Sequence, residues 1–532
     1  MTTEQKVALQ RVLLVQDETV SLAHNFDSGC KLSAAIGALL LDDTPPFPPT
    51  YIAGVRLYNA LAAFNELVQN SIPGWRMRIT NRRRHAYYGD GRVKVSGRFF
   101  VDYICIDRKV GNKGKRVPRR RIDVINLDLL FSEPPKDAES QLEAALAILE
   151  MCESRGIAYR STKGAIGSAM LKVSPHWEKG RRAAPKFIND YVRKYLPGNF
   201  YAVSSRVKSE HVDGSKLGYY FHIPHCYYID QRSAHHNIVT QTALPRPDSV
   251  HSRGHYLMDE PGRWLDVDSP SGQSLMDGRH VGVLLCKIHI STVGPTKEHL
   301  YPQWALKRGT RYVWIWTPEL RLIENDPKLQ LEYFCGGITG STYDSVLPEY
   351  AKWALAEIAG NERRAPYKKG PLLAAYGMLA FNAGKTDAIY RYWGGENKKM
   401  KVEIPMAGMV GESKIKIPTD VELSTVNVVA RGLIEAETRT RSIEYARQLT
   451  AEGMHVAQIY ADGILVATDQ LPFVPDGWRV SHSLTHVHIP RPNAIISDEL
   501  VKLPGVAGSE QDREWERKRQ DARIIVEHAL AR

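Results

Sequence analysis

The sequence predicts a mixed α/β protein of several domains, and three observations carry that reading. The chain has 532 residues, enough for about two to four domains. Short apolar strands alternate along it with amphipathic helices: Val12-Leu13-Leu14-Val15 reads as a strand, and residues 139–154 place Leu142, Ala145, Leu146 and Leu149 on one helical face. Two apolar stretches far apart in the chain each deliver a carboxylate. Tyr227-Tyr228-Ile229 leads into Asp230, and residues 455–467 read as a β-hairpin around Asp462-Gly463, the Gly supplying the positive φ of the turn.

The formal net charge is +12. A chain this basic expects a polyanionic partner, nucleic acid being the simplest, although a merely basic enzyme would show the same balance. Cys30, Cys105, Cys152, Cys226, Cys286 and Cys335 are scattered without a CxxC, which predicts free thiols in a reducing cytoplasm rather than a disulfide framework. No apolar run approaches the ~20 residues that span a bilayer, and Met1-Thr2-Thr3-Glu4-Gln5-Lys6 does not read as a signal peptide. Membrane partners are therefore not expected.

In chain order, residues 57–67 have helical spacing, and residues 97–107 and 121–130 read as strands around a basic loop, 108–121. Tyr195-Leu196-Pro197-Gly198 is a turn following a basic stretch, and residues 227–229 are the strand that ends at Asp230. Residues 237–312 are rich in Pro and Gly, with a strand at 281–288. Residues 346–359 form a helix, and a second helix carries Lys369 and Tyr376-Gly377; seven residues put Lys369 and Tyr376 on one side after two turns. Lys398-Lys399-Met400-Lys401 and Lys414-Ile415-Lys416 read as the arms of a basic hairpin, suited to phosphates or to an edge protected from aggregation. Residues 421–452 are mostly one long helix closed by Gly453. His222, His225, Cys226, His235 and His236 crowd one region, but their spacing matches no standard zinc site.

The order of a strand-end Asp, a basic helix with Lys and Tyr-Gly, and a hairpin-tip Asp resembles motifs A, B and C of family B DNA polymerases, the protein-primed group of phages and linear plasmids above all. The resemblance implies a right-hand polymerase with palm, fingers and thumb behind an N-terminal RNase H-like exonuclease-type domain. It divides the chain into an exonuclease-like domain (1–190), a palm start with motif A (191–236), an insertion like the one called TPR1 in that group (237–312), further palm (313–345), fingers with motif B (346–394), a TPR2-like basic hairpin (395–420), palm with motif C (421–475) and thumb (476–532).

The resemblance also implies roles. Asp230 and Asp462 would be the catalytic carboxylates, holding two Mg²⁺ (or Mn²⁺) ions. Ser233 would cradle phosphates, and His235 stands where the family has the Tyr that excludes a ribose 2′-hydroxyl. Lys369 would contact the triphosphate, Tyr376 would stack on the nascent base pair and Gly377 would let it approach; Leu373-Ala374 replace the family's Asn-Ser. Tyr195 and Gly198 match the family's Tyr-x-Gly-Gly element on the template strand. Lys401, Lys414 and Lys416 would meet DNA, and Arg491 and Asn493 stand for the Lys-x-Tyr that grips the primer. Motif C has one Asp where the family has two.

Exonuclease ligands are missing: Gln16-Asp17-Glu18 has Gln for the first Asp, residues 58–65 end in Asn65, and the third motif offers Ala138 and Leu142. The expected activity is thus a DNA-directed DNA polymerase lacking proofreading, working on template and primer DNA and dNTPs, with room for a terminal protein as a further partner. Two alternatives stay open: a catalytically impaired DNA-binding relative, and a template-independent or ribonucleotide-tolerant nucleotidyltransferase.

Overall fold

The structure, a computed structural model, describes residues 11–23, 27–41, 51–68, 71–87, 93–110, 114–131, 134–173, 186–198, 200–204, 222–242, 244–245, 249–254, 265–341, 347–380, 388–393, 412–415, 426–489 and 495–502. The chain divides into two compact units, Met1–Trp177 with Ala356–Thr425 and Glu178–Leu355 with Val426–Arg532. No described helix is long and apolar enough to cross a membrane.

The first unit is built on an eight-stranded sheet. Its strands are β1 (Val12–Gln16), β2 (Thr19–Leu22), β3 (Tyr51–Gly54), β4 (Trp75–Tyr87), β5 (Val93–Val110), β6 (Lys115–Asn126), β14 (Ala388–Trp393) and β15 (Glu412–Ile415), in the order β15-β14-β4-β5-β6-β3-β1-β2. β3 runs parallel to both β1 and β6. The four leading residues of β1 are all buried, as expected of an uninterrupted apolar run in the parallel part of a sheet. Helices α1 (Leu32–Leu41) and α2 (Tyr58–Val68) cover it with Ile36, Leu40, Leu61 and Phe64.

The positions suggested for exonuclease motifs have local structural work. Asp17 and Glu18 are the exposed two-residue turn joining β1 to β2, both with positive φ (47° and 68°). Asn65 is fully buried, and its side-chain oxygen accepts the Trp75 indole N–H at 2.7 Å. Helix α3 (Ala138–Ser154) starts from Asp137, whose carboxylate accepts the Ser140 amide, and it buries Leu142.

Helix α4 (Lys163–Lys172) meets α6 (Ala365–Met378) so closely at Gly167 that a Cβ there would lie 2.6 Å from the Ala375 nitrogen. Arg364, ahead of α6, is ion-paired with Glu143 at 2.7 Å and with Glu150. Strands β14 and β15 correct the expected basic hairpin. Its described arms are 388–393 and 412–415, and β14 pairs along β4, extending the sheet rather than standing apart. The run Ile389-Tyr390-Arg391-Tyr392-Trp393 favours a strand more than the lysine-rich stretches do, and the edge of β4 offers its unpaired backbone groups.

The second unit holds two antiparallel sheets. Strands β7 (Tyr201–Val203), β8 (His222–Gln231), β16 (His455–Tyr460), β17 (Gly463–Ala467), β18 (Trp478–His488), β19 (Ile495–Ile496) and β20 (Val501–Lys502) lie in the order β20-β19-β18-β8-β17-β16-β7, with β8 at the centre. The other sheet contains β9 (His251–Gly254), β10 (Leu265–Asp266), β11 (His280–Ile290), β12 (Gly309–Trp316) and β13 (Leu329–Ser341). The expected division between an insertion ending at 312 and palm beginning at 313 falls inside β12. That strand pairs with β11 from Ile290↔Gly309 to Val283↔Trp316, because a continuous antiparallel ladder leaves no seam at which to part them.

Helix α7 (Val428–Ala451) joins the two sheets: Ile443, Ala446 and Leu449 share one core with Ile229 and Ile464 of the first and Cys286 and Ile315 of the second. The helix starts at Val428, with the Asn427 side chain accepting the Ala430 amide at 3.0 Å. It stops as expected at Gly453, whose φ is +86° and which is followed by a Met454 N–H to Leu449 carbonyl bond. On its other side Arg321 donates to Glu437 and Glu444, and Arg441 also reaches Glu437. Gly432 accommodates the Trp316 indole, since a Cβ would sit 1.9 Å from the ring.

Candidate active site

Alternation along β8 sends Ile229 into the core shared with α7 and places Tyr228 in the core of the opposite face. Asp230 follows on the Tyr228 side, one residue before the strand ends. Its neighbours in register are Gly463 on β17 and Arg479 on β18. Asp462, immediately before Gly463, is thereby brought to the same end of the sheet, and its carbonyl accepts the Gln231 amide at 2.9 Å.

The turn between β16 and β17 differs from expectation. Tyr460 pairs with Gly463, so the two turn residues are Ala461 and Asp462, and the left-handed residue is Ala461, φ +54°. Gly463 is the first strand residue. It is required for space: a Cβ there would lie 2.2 Å from the Tyr228 hydroxyl oxygen. The tip is held on three sides. The Ala461 N–H donates to the Phe200 carbonyl at 2.7 Å, the Ala461 carbonyl accepts from the Ser442 hydroxyl at 3.1 Å, and the Asp462 carbonyl takes the Gln231 amide.

The loop beyond Asp230 is fixed in the same way. The Gln231 side chain donates to the Thr438 carbonyl and the Ser442 hydroxyl of α7, and the Arg232 amide donates to the Gly477 carbonyl. Ser233 is left-handed, φ 44° and ψ 45°, and precedes helix α5 (Ala234–Gln241). Its carbonyl starts the helix, accepting the His236 and Asn237 amides, while its hydroxyl makes no capping bond. Each left-handed non-glycine residue costs roughly 1–2 kcal/mol. Such residues persist where surrounding bonds over-determine them, which is common at working sites. Here the segments flanking Asp230 and Asp462 each carry one.

Arg479 supplies the nearest printed counter-charge, its guanidinium 3.6 Å from the Asp230 carboxylate, with the Arg side chain half exposed and the Asp side chain 19% exposed. Burial, followed by the charges of Asp230 and Asp462, pushes the Tyr228 phenol far above its ordinary range, so it stays neutral. Among the described residues no group of three or more His, Cys, Asp and Glu side chains is arranged to hold a metal ion. His225 bonds instead to the Thr468 carbonyl and the Ser483 hydroxyl.

The other expected site residues are placed as follows. His235 is half-buried in the first turn of α5, next to the fully buried His236. Tyr195 ends a single helical turn, stacks on Trp314 with ring centroids 4.6 Å apart, and its carbonyl accepts the Trp316 indole N–H. Gly198 does adopt the left-handed region, φ +65°, but its amide donates to the Glu435 carboxylate at 2.9 Å rather than pointing to an open surface.

Lys369, Tyr376 and Gly377 lie on α6 of the first unit. Lys369 is exposed. Tyr376 is fully buried, so its ring has no open face for a base; the tight packing of α6 covers it. The buried lysine of this helix is Lys368, paired with Glu357 at 2.6 Å. Lys414 lies on β15, opposite Ile389. Lys401, Lys416, Arg491 and Asn493 lie outside the described residues.

A structure of Phi29 DNA polymerase complexed with primer-template DNA and incoming nucleotide substrates matches this chain with a TM-score of 0.55, over 92% of this chain and 89% of that one. The chain shares its fold with Phi29 DNA polymerase. Sequence identity in that match is 13%, so the likeness is one of fold. The same polymerase complexed with single-stranded DNA matches at TM-score 0.53 and 14% identity, covering 92% and 89% of the two chains. Its post-translocation binary complex with primer-template DNA matches at 0.52 and 14%, covering 92% and 85%. No family model matches the chain, and no curated protein does.

Sequence reading missed Arg479, Gln231, Ser442 and Tyr228 as parts of this site. Thr438 and Ser442 carried a signal, since polar residues one turn apart on the buried side of a long helix demand partners. Arg479 carried none that can be read without the β8–β18 register.

Proposed function

We propose that this chain is a DNA polymerase that extends a 3′-hydroxyl with deoxynucleoside triphosphates. The observation that carries the reading is the register Asp230↔Gly463, which sets the carboxylate-bearing residues Asp230 and Asp462 at the same end of adjacent strands in a chain with the fold of a DNA polymerase. In the reaction the 3′-oxygen attacks the α-phosphorus and pyrophosphate leaves.

Divalent ions suit the donor set in kind. Carboxylate oxygens are hard ligands, Mg²⁺ commonly binds through one or two carboxylates plus substrate phosphates, and Asp230 retains an open side. Asp230 and Asp462 would hold Mg²⁺ or Mn²⁺, and bound ions supply charge neutralisation and a more acidic attacking hydroxyl. The residues around them position these acids. Gln231 and Ser442 tie both loops to α7, and neutral Tyr228 packs against Gly463 without adding charge. Ser233 offers a hydroxyl to phosphate and His235 its ring to the sugar, while Lys369 meets the triphosphate as the family resemblance implies. The same resemblance supports a non-proofreading enzyme and the division into exonuclease-like, palm, fingers and thumb segments.

The test is primer extension on a primed template with Mg²⁺ or Mn²⁺, comparing dNTPs with NTPs and the native chain with Asp230→Asn and Asp462→Asn. Templated extension that falls at least roughly hundredfold in each variant is the expected result, on the scale of lost metal-site groups. Extension undiminished in Asp462→Asn overturns the assignment. A second reading, a DNA-binding relative without chemistry, is favoured by the lack of a third acid among the described residues and by Arg479 beside Asp230. DNA binding with no extension under any of these conditions would establish it.

A further inference from the structure

The end of the β5–β6 hairpin projects beyond the sheet that bears it. β4 pairs with β5 only as far as Trp75↔Ile106, and β3 pairs with β6 only from Asp123 onward. Between those limits Asp107–Val110 pair with Lys115–Pro118 alone, as a two-stranded ribbon. Its root is rigid. Asp107 is buried, its carboxylate 3.2 Å from Arg76, and its amide donates to the carbonyl of Gly74, a residue with φ +79°. Arg121 lies 4.2 Å over the Tyr103 ring and pairs with Asp123 at 2.6 Å.

The projecting part is cationic on both strands. Arg108, Lys109, Lys115 and Arg116 are all exposed, and none is ion-paired among the described residues. From 108 to 122 the sequence contains no Asp or Glu, so nothing in the hairpin offsets these charges. The same stretch contains no aromatic residue. That argues against a single-strand platform, which relies on rings for base stacking. Four residues per strand reach roughly 13 Å, comparable with the ~12 Å width of the DNA major groove, which admits a two-stranded β-ribbon.

We infer that the ribbon Asp107–Pro118 is a sequence-independent docking element for duplex DNA, its four exposed cations lying along the phosphate backbone. This goes beyond the proposed chemistry and uses none of its residues. The alternative role for basic residues on such a ribbon, protection of strand edges against self-association, involves no DNA.

The test is fluorescence anisotropy of a labelled DNA duplex and of a single-stranded oligonucleotide with the full chain, without metal or nucleotide, across a salt series. The variant carries Arg108→Gln, Lys109→Gln, Lys115→Gln and Arg116→Gln together. A control removes the same charge from Lys31, Lys136, Lys163 and Lys172, which are exposed elsewhere in the same unit. The slope of log affinity against log salt for the duplex is expected to fall by about 3 to 4 in the ribbon variant, near 0.9 per lost phosphate contact, and by less than about 1 in the control. Single-strand binding is expected to change less than duplex binding. An unchanged duplex slope, an equal fall in the control, or a loss confined to single strands overturns the inference. Self-association of the variant by size exclusion, with duplex binding intact, assigns the cations to edge protection. Primer extension by a variant whose duplex binding is unchanged would sink this inference and leave the polymerase reading standing.

Discussion

Arg479 faces Asp230 across the β8–β18 pairing, guanidinium to carboxylate at 3.6 Å. A cation approaching Asp230 must compete with this fixed positive charge. The arginine is half exposed, so the pair is worth only about 0.2–1 kcal/mol after screening. Arg479→Gln is therefore expected to lower the Mg²⁺ concentration that half-saturates primer extension, by roughly 1.5- to 5-fold. A Mg²⁺ titration of extension rate checks this. A higher Mg²⁺ requirement in the variant would mean that the guanidinium assists phosphate binding instead.

Gly463→Ala places a Cβ 2.2 Å from the Tyr228 hydroxyl oxygen and 2.5 Å from its ring carbon. The ring is almost fully buried and cannot swing clear. The expected cost is about 1–3 kcal/mol, the usual price of overpacking. Urea denaturation reads it, and a smaller penalty in the Tyr228→Leu background locates the clash at the ring.

Ala461 is left-handed where a glycine would be unstrained. Ala461→Gly is expected to stabilise the protein by about 0.5–1 kcal/mol, relief of strain exceeding the added chain entropy. Ala461→Val should destabilise it by about 1–2 kcal/mol. Thermal melts of the two variants should move in opposite directions; movement in the same direction contradicts the turn assignment.

Glu437 is buried beneath Arg321 and Arg441. Burial alone would raise its pKa, but hydrogen bonds and charge from Arg321, then Arg441, carry it below the ordinary value. A depressed folded pKa means that the group stabilises the native state above its unfolded pKa, near 4.3, and that this is lost as pH falls through the lower folded value. Arg321→Met is expected to cost about 2–3 kcal/mol at pH 7, because a buried carboxylate loses one of its partners. The penalty should shrink at pH 4, where the carboxylate can protonate. Denaturant midpoints at the two pH values test this, and a pH-independent penalty would rule out the charge explanation.

The helix ending at Gly453, the hairpin at 455–467 and the apolar strand before Asp230 could all be read from the chain, because each depends on neighbours a few residues away. The purpose of Gly463 could not. The Asp-Gly pair suggested a glycine needed for its own φ, whereas the glycine makes room for a ring on a strand more than two hundred positions earlier. Gly198 was legible as a turn, but the Glu435 carboxylate that takes up its amide was not. The Lys369–Tyr376 helix was legible, yet burial of the tyrosine follows from packing that helical spacing alone does not specify.

By itself the sequence determined the periodicities, the turn-forming residues, the positive charge and the presence of two acids at the ends of apolar runs, all of which are properties of short segments. Only the tertiary structure decided that β8 lies between β17 and β18, and hence that Asp230 has Gly463 on one side and Arg479 on the other. Strand register fixes which distant residues touch, and it is set by the collective burial of a whole sheet face rather than by any residue within sight of those two acids.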